Sequence, residues 1–547
     1  MKDVLNSNSY SLSKSAVTFK TEDKRLQELF DHAEEKCKVN RRNFAGYDVL
    51  IEGEKYTGVW PETQPMGGEM YAKRDIKTAL NNILIFMRYQ RRDGKIPGMI
   101  TCAPEWSGVH AYYDWMQGFF FPYPALKMYY LTGKENGYLK QLYNTLYDYD
   151  SYLWKYRDSD GDGCLETWCV WDTGEDNYTL HLLNGITAID NGAYGDTVPP
   201  KNAGNMPYES PQYMSYSYAC RMVLAEISKI LGNGETEEWL LKAKQVKDKF
   251  REYLWDEDKK ACYLRDNKNE RIYNLTQENI KCMYGGIFDQ NMADDFIREH
   301  LLNEEEFFTP YPIPSIAAND PYFYVNRECS NCGEELEAKG VIERDTEANI
   351  DNNSWSGPVN GLTCQRAIDA LLNYNHHAEI IMLGEKMIDM LRINKGFVQN
   401  YNPFTGAQHG DGDGYGPTML AFFEYVSLMY GVNVAYEKVL WTGIDSNCDY
   451  EYTQEILNRR FTVEHKEGKN FAYIDGKLVF EFSNNVRIKT DLEGNIISIF
   501  GICEIPSEMY ISVDGIMLKT EIKPNEELAI EDAEIKKVRK VDFKGDA

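Results

Sequence analysis

Apolar residues recur at helical spacing through most of the chain up to residue 430. The first stripe, Leu26, Leu29, Phe30 and Ala33, predicts a helix over Asp23–Arg41, after an extended lead-in over residues 1–22. A long helix is expected over Glu69–Arg91, carrying Ala79, Ile83, Ile85, Phe86 and Tyr89 and ended by a basic turn and Gly94. Ala111–Leu131 reads as a strongly apolar helix interrupted near Pro122 and Pro124, and Lys140–Tyr156 as the next. Further helices are predicted over Met214–Leu231 (stopped by Gly232), Glu235–Leu254, Gln277–Phe288, Met292–Leu302, Trp355–Asn373, His377–Leu391 and Tyr415–Tyr430. The stretches Tyr47–Gly68, 180–212 and 305–353 show no period. Eleven or twelve helices without βαβ alternation fit a large bundle or a toroid of helical hairpins and exclude a parallel α/β fold.

From residue 445 the pattern changes. Short β-rich runs such as NFAYIDGKLVFEF and NVRIKTDLEGNIISIF alternate around DG and EG turns, predicting a small antiparallel β domain. The expected division is therefore a helical domain over 1–444 and a β-rich accessory domain over 445–547. No repeat of fixed period points to a solenoid.

Charge narrows the partners. A formal net charge of −27 argues against nucleic acid and against an anionic membrane surface. No run of 18 or more apolar residues is long enough to span a bilayer, and the polar N-terminal stretch lacks the character of a leader. The 12 Cys show no disulfide spacing, and Cys329 and Cys332 form one lone CxxC without two further zinc ligands. Free thiols in a reducing, cytoplasmic compartment are the expectation.

The chemistry concentrates in Asp158–Thr179, DSDGDGCLETWCVWDTGEDNYT, where carboxylates mix with Trp168 and Trp171. Such a mixture suits a sugar site, because carboxylates hold hydroxyls or donate protons and indoles stack on a pyranose face. Cofactor-free cleavage of a glycosidic bond takes two carboxyl groups. Asp176 is the candidate acid, its pKa expected to rise near Trp171, Asp172 and Glu175; the alternative is that Asp176 or Asn177 caps the next helix. Asp158, Asp160, Asp162 and Glu166 have the alternation of a Ca²⁺ loop, but Cys169 stands at the twelfth position, which rules against an EF-hand. Asx-turns are the favoured reading there, no cofactor is required, and a structural Ca²⁺ stays open.

Two further segments have cleft character. In Asn353–Asn360, NSWSGPVN, the residues Trp355, Gly357 and Asn360 are candidates to floor a subsite. In Gln399–Pro417, QNYNPFTGAQHGDGDGYGP, the candidates are Gln399, Tyr401, His409, Asp411 and Asp413. Trp60, Trp106 and His110 add rings and a polar group from earlier loops, while His376 and His377 read as surface or structural.

With these segments in view, the chain resembles the (α/α)6-barrel glycosidases related to glycoside hydrolase family 63, the trehalases and the mannosylglycerate hydrolase-like group. DTGEDN at 172–177 is similar to their acidic-Gly-x-Asp-Asn signature, which implies the acid role for Asp176. DSDGDGCLE at 158–166 resembles the run that precedes the acid, and WSGPVN at 355–360 resembles a substrate-lining element. Asp114 to Gln117 with Pro122 is similar to their Gln-Pro substrate-side segment, which implies substrate contacts for Asp114 and Gln117. QNYNPFTG at 399–406 resembles the element that starts with the catalytic base, yet here that position is Gln399, and a carboxamide cannot take a proton from water near neutral pH. Either another carboxylate serves (Asp411, Asp413, Glu343, Glu337 or Glu424), or Gln399 only positions water, or Gln stands in place of a Glu and turnover is lost.

The resemblance implies a mainly α protein, an (α/α)6 barrel with a small C-terminal antiparallel β domain. It also implies an inverting glycosidase for a small neutral glycoside or α-linked oligosaccharide. The rivals are a polysaccharide lyase or epimerase on the same scaffold and a sugar-binding protein without turnover.

Overall fold

The structure, a computed structural model, describes residues 2–102, 108–175, 177–184, 196–200, 204–341, 355–394, 396–531 and 534–541. Its helices are α1 (Lys24–Val39), α2 (Gln64–Tyr71), α3 (Ile76–Tyr89), α4 (Pro122–Leu131), α5 (Asn136–Tyr156), α6 (Thr179–Leu183) and α7 (Pro211–Leu231). They continue with α8 (Thr236–Tyr253), α9 (Glu278–Gly285), α10 (Gln290–Phe296), α11 (Gly333–Ala338), α12 (Gly361–Leu372), α13 (His377–Arg392) and α14 (Gly416–Tyr430).

Six of them close a ring by successive contacts: α2 with α4, α4 with α7, α7 with α9, α9 with α12, α12 with α14, and α14 back to α2. Their sequences explain why they are inside. Every residue of α2 and α9, and all of α14 up to Met429, is buried, so no face is left for water. Outer helices carry one apolar stripe: α1 buries Leu26, Leu29, Phe30, Ala33 and Cys37 and leaves the rest exposed or half-buried. The protein is thus a mainly helical six-hairpin toroid with separate C-terminal antiparallel sheets.

Several expected spans shift for local reasons. The helix expected over Glu69–Arg91 is two helices, because the Asp75 side chain accepts from Lys77 N and Thr78 N and starts α3 afresh. The first half of Ala111–Leu131 is not helical; Gln117 and Gly118 take left-handed backbone, and α4 begins at Pro122, where a missing N–H costs nothing. Trp355 precedes its helix by six positions: the Asn360 side chain accepts from Leu362 N and sets the start of α12 at Gly361.

The β region opens at Val432 rather than at 445. A six-stranded sheet begins with the hairpin Val432–Ala435 and Lys438–Gly443 and continues through Val486–Asp491, Ile496–Gly501, Glu526–Glu531 and Glu534–Lys540. The lead-in strand Ala16–Thr21 joins the second, seven-stranded sheet, pairing antiparallel with Tyr450–Ile456 (Phe19 opposite Tyr452). Trp441 of the first sheet meets Phe461 and Phe480 of the second at 5.9 and 5.6 Å, which places the sandwich core. The DG turns behave as read: Asp475–Gly476 and Asp514–Gly515 are left-handed at both positions, as two-residue hairpin turns demand. All twelve cysteines are free thiols, and no described helix is long and apolar enough to cross a membrane.

His376 ties the outer wall to the sandwich. Its ring, 1% exposed, sits 2.9 Å from both Glu379 Oε1 and Asp294 Oδ1, and Asn525 of the β region also donates to Glu379. Burial alone would lower its pKa, but the Glu379 and Asp294 carboxylates outweigh that and raise it to about 9. The raised value means stability fully present below about 6.5 and lost as pH climbs through about 9. Chemical denaturation across that window should show a loss of about 2 kcal/mol in the native protein that His376→Gln abolishes; equal pH slopes in the two proteins would contradict the assignment.

Candidate active site

The loops that lead into the N-terminal ends of the inner helices converge on one cavity of about 230 Å³. Glu52, Tyr56, Trp60 and Glu62 precede α2; Trp115 and Gln117 precede α4; Trp171 and Gly174 come from the acidic segment; Trp355 precedes α12; Gln399 precedes α14. The walls are aromatic, with Trp115 against Trp171 edge-to-face at 5.1 Å and Tyr56 against Trp60 at 5.9 Å. The indole N–H groups of Trp115 and Trp355 are buried and have no hydrogen-bond partner among the described residues. They are donors held ready for a hydroxyl. Among the described residues the cavity lining contains two carboxylates and neither Lys nor Arg.

Glu62 is the node of this site. Its carboxylate accepts from Arg366 Nη2 and from Gln117 Nε2, each at 3.0 Å. Burial pushes its pKa up, and Arg366 and Lys281 pull it part of the way back. Gly174 packs directly on it: a Cβ there would lie 2.3 Å from Glu62 Oε2, and the backbone is left-handed at φ +76°. The glycine of DTGEDN is therefore dictated by contact with a residue far away in sequence.

The rest of the acidic loop is pinned from behind. Asp172 is fully buried, pairs with Arg157, and accepts from Met116 N at 2.9 Å and Trp168 N at 2.8 Å. Burial would raise its pKa, but the Arg157 charge wins and holds it below the carboxylate norm. Glu175 accepts from Lys281 Nζ at 2.9 Å, and Ser356 Oγ donates to Asn177 O at 3.0 Å. Asp176 itself lies outside the described residues, as do Trp106 and Glu343; the chain neighbours of Asp176 are fixed to α9 on one side and to the Trp355 loop on the other.

The Trp355 and Gln399 segments meet through a two-residue ladder, Val359 opposite Tyr401 and Asn360 opposite Asn400, extended by Gly361 N to Gln399 O at 3.0 Å. Tyr56 OH donates to Gln399 Oε1 at 2.9 Å, and Tyr415 OH donates to Glu52 Oε1 at 2.7 Å.

Of the residues singled out from sequence, Trp60, Gln117, Trp171, Trp355 and Gln399 line the cavity. Others have structural partners. Asn360 is buried as the cap of α12, Tyr401 OH donates to Gly396 O, and Gly357 is required because a Cβ would sit 2.9 Å from Phe323 and Tyr324 O. Asp413 faces α1, with Lys36 Nζ at 2.8 Å and His32 Nε2 at 2.9 Å; burial would raise its pKa, but these partners hold it low. Glu424 pairs with Lys73 and Glu337 with Arg327. His110, Asp114 and Asp411 are exposed, and His409 is half-buried with its backbone N bonded to Asn400 O at 3.0 Å. Glu52, Tyr56, Glu62 and Trp115 were not singled out as site residues; YDVLIEGEKYTGVWPE, an aperiodic stretch before an inner helix, was the available signal for the first three.

In the Asp158–Glu166 run the Asx bonds are formed: Asp160 Oδ1 accepts from Asp162 N at 3.1 Å and Asp162 Oδ1 from Cys164 N at 2.7 Å. Asp158, Asp160 and Asp162, and separately Asp160, Glu166 and Glu209, also bring carboxylate oxygens within 4.8 Å of one another, a donor set that can chelate a hard cation.

These features are those of a toroidal glycosidase, and residues 70–418 match the mannosylglycerate hydrolase MGH1-like glycoside hydrolase domain. The chain belongs to that family of glycoside hydrolases. A mannosylglycerate hydrolase from Thermus thermophilus, solved with glucose, is 16% identical with a TM-score of 0.55 over 72% of this chain and 99% of its own. Neutral trehalase from Saccharomyces cerevisiae is 12% identical, with a TM-score of 0.50 over 73% of this chain and 80% of its own. An α-L-rhamnosidase from Dictyoglumus thermophilum is 11% identical, with a TM-score of 0.50 over 94% of this chain and 50% of its own. No curated protein matches the chain.

The Glu62–Gly174 contact separates two costs. Gly163→Ala, at φ +85° with open space around it, should lose about 1 kcal/mol for left-handed backbone alone. Gly174→Ala must also displace the Glu62 carboxylate and should lose roughly 2 kcal/mol more. Urea unfolding of the two variants checks this; equal losses would mean that the contact does not constrain the fold.

Proposed function

We propose that the protein hydrolyses a small neutral, α-linked glycoside by an inverting mechanism in the ring-walled cavity at the N-terminal ends of the inner helices. The observation that carries the reading is the composition of that cavity among the described residues: four tryptophans, two unpartnered indole N–H donors, and carboxylates with no Lys or Arg in the lining. Among the described residues the lining offers an anionic substrate no free Lys or Arg, since Arg366 behind it is already paired with Glu62, so a neutral glycoside such as trehalose fits better than mannosylglycerate.

Asp176 takes the acid role, protonating the glycosidic oxygen as the C–O bond breaks. The base is Glu52. Its carboxylate lines the same cavity as Gln399 and is oriented by Tyr415 OH, whereas Glu62 is engaged by Arg366 and Gln117. Glu52 removes a proton from water as the oxygen bonds to the anomeric carbon from the side opposite the leaving group, which inverts the configuration. Gln399, accepting from Tyr56 OH, orients that water.

Turnover of trehalose and other α-linked disaccharides should fall roughly 10²–10⁴-fold in Asp176→Asn and in Glu52→Gln. Gln399→Glu is isosteric, keeps the Tyr56 hydrogen bond and should raise kcat/KM. Full activity in Glu52→Gln would remove Glu52 from the mechanism. Sugar binding without turnover in the native protein, with turnover appearing only in Gln399→Glu, would make the native chain a sugar-binding protein.

The acidic cluster of Asp160, Glu166 and Glu209 we assign to a structural Ca²⁺, supported by the buried, unpartnered Oε2 of Glu209. Millimolar Ca²⁺ should raise the Tm relative to chelator and should not in Glu209→Gln; an unchanged Tm in the native protein would end that assignment.

A further inference from the structure

A second cavity, of about 520 Å³, lies between α4, the C-terminal ends of α9 and α12 and the six-stranded sheet. It is larger than the candidate active site and has the opposite electrostatic character.

Arg487 stands behind His377, one of the lining residues. Its side chain is 0% exposed, and its donors go to Leu428 O at 2.7 Å, Thr442 Oγ1 at 3.1 Å and His377 Nδ1 at 2.8 Å. No carboxylate pairs with it among the described residues. A buried guanidinium without a counter-charge is costly, and burial lowers its pKa to about 9.

Arg487 also fixes the state of His377. A guanidinium only donates, so His377 Nδ1 must accept, and the ring proton of the neutral imidazole sits on Nε2. Burial and the Arg487 charge both favour that neutral form, pushing the pKa well down. His377 lines the cavity, 3% exposed, and its Nε2 is buried with no partner. The hydroxyl of Tyr284, a second lining residue that is 4% exposed, is likewise buried and unpartnered.

Two more cations face the same space. Lys438 stands opposite Asp491, and Leu440 opposite Lys489, so Lys438 and Lys489 are diagonal neighbours on one face of the sheet. Neither has an ion pair among the described residues, and Asp491 is occupied in capping its own turn. Lys127, also in the lining, is matched by Asp369 at 2.7 Å and Glu69 at 3.3 Å. The uncompensated groups are therefore all donors or cations, in a protein whose net charge is −27. The rings of Tyr374 and Tyr436 complete the wall, the latter held at φ +50° in the turn that joins the first two strands of the sheet.

We propose that this cavity is a second ligand site, for a sugar phosphate. The phosphoryl oxygens accept from His377 Nε2–H, the Tyr284 hydroxyl and the ammonium groups of Lys438 and Lys489, and the sugar ring lies against Tyr374 and Tyr436. The bound dianion supplies the counter-charge that Arg487 lacks, through His377. This site does not depend on the reading of the other cavity.

Calorimetry on the full chain with glucose 6-phosphate, inorganic phosphate and glucose tests it. Glucose 6-phosphate should bind more tightly than inorganic phosphate. Lys438→Met and Lys489→Met, with retention of the fold checked by circular dichroism, should each weaken it about tenfold. Trp60→Ala, in the other cavity, should leave it unchanged. No heat with either phosphate, binding that survives both lysine variants, binding that is lost in Trp60→Ala, or equal affinity for phosphate and glucose 6-phosphate would each overturn the assignment.

Discussion

Glu62 holds the mouth of the toroid together. Its carboxylate is touched by Gln117 before α4, by Gly174 in the acidic loop and by Arg366 on α12, while Glu62 itself leads into α2. Four segments separated by up to three hundred residues thus share one buried charge. A buried carboxylate is tolerated only where its partners satisfy it, so each of these loops is constrained by the others. Arg366 is fully buried and is the counter-charge; burial pushes the Glu62 pKa up, and Arg366 is the first of the groups that pull it back. The tryptophan walls follow from this arrangement, because Trp60, Trp115 and Trp171 sit within three residues of Glu62, Gln117 and Gly174 respectively.

The other fastening is the ladder between Val359–Asn360 and Asn400–Tyr401. Two residue pairs contribute little by themselves, yet they set register. Asn360 caps α12 and also donates to Asn400 Oδ1 at 3.0 Å, so the start of one inner helix is tied to the approach to the next. Gln399 and Trp355 reach a common cavity because of that tie, and a slip of one residue would turn Gln399 away. The polar residues of NSWSGPVN and QNYNPFTG divide accordingly: some face the cavity, and others hold the two segments in place.

How much of this the sequence shows depends on the range of the interaction. The helices from Met214 onward are legible because apolar period and local stops coincide, as with Gly232, which takes left-handed backbone at φ +64° and ends α7. The split between α2 and α3 is less so, since both halves are apolar and one capping aspartate divides them. Trp171, Trp355 and Gln399 stand out because rings and amides are conspicuous in glycine-rich loops. Glu52 and Glu62 do not, because a glutamate in a polar loop acquires meaning only from partners such as Tyr415 and Arg366, more than three hundred residues away. Asp413 shows the converse: it lies in the loop that follows Gln399, but Lys36 and His32 of α1 bind it on the outer side of the ring.

The ring also sorts charge along its axis. The inner helices α2, α4, α12 and α14 begin at the candidate active site, so their unpaired N–H groups and positive dipole ends gather there. Carboxylates are stabilised at that end, where Glu52, Glu62 and Glu175 are found. At the opposite end the helix carbonyls favour cations, and Lys127 on α4 bridges Glu69 of α2 and Asp369 of α12 across the ring. The β sandwich then adds Lys438, Lys489 and Arg487 to that end without matching acids. One set of helices therefore gives two cavities of opposite character: one walled by tryptophans and carboxylates, the other edged by lysines and tyrosines.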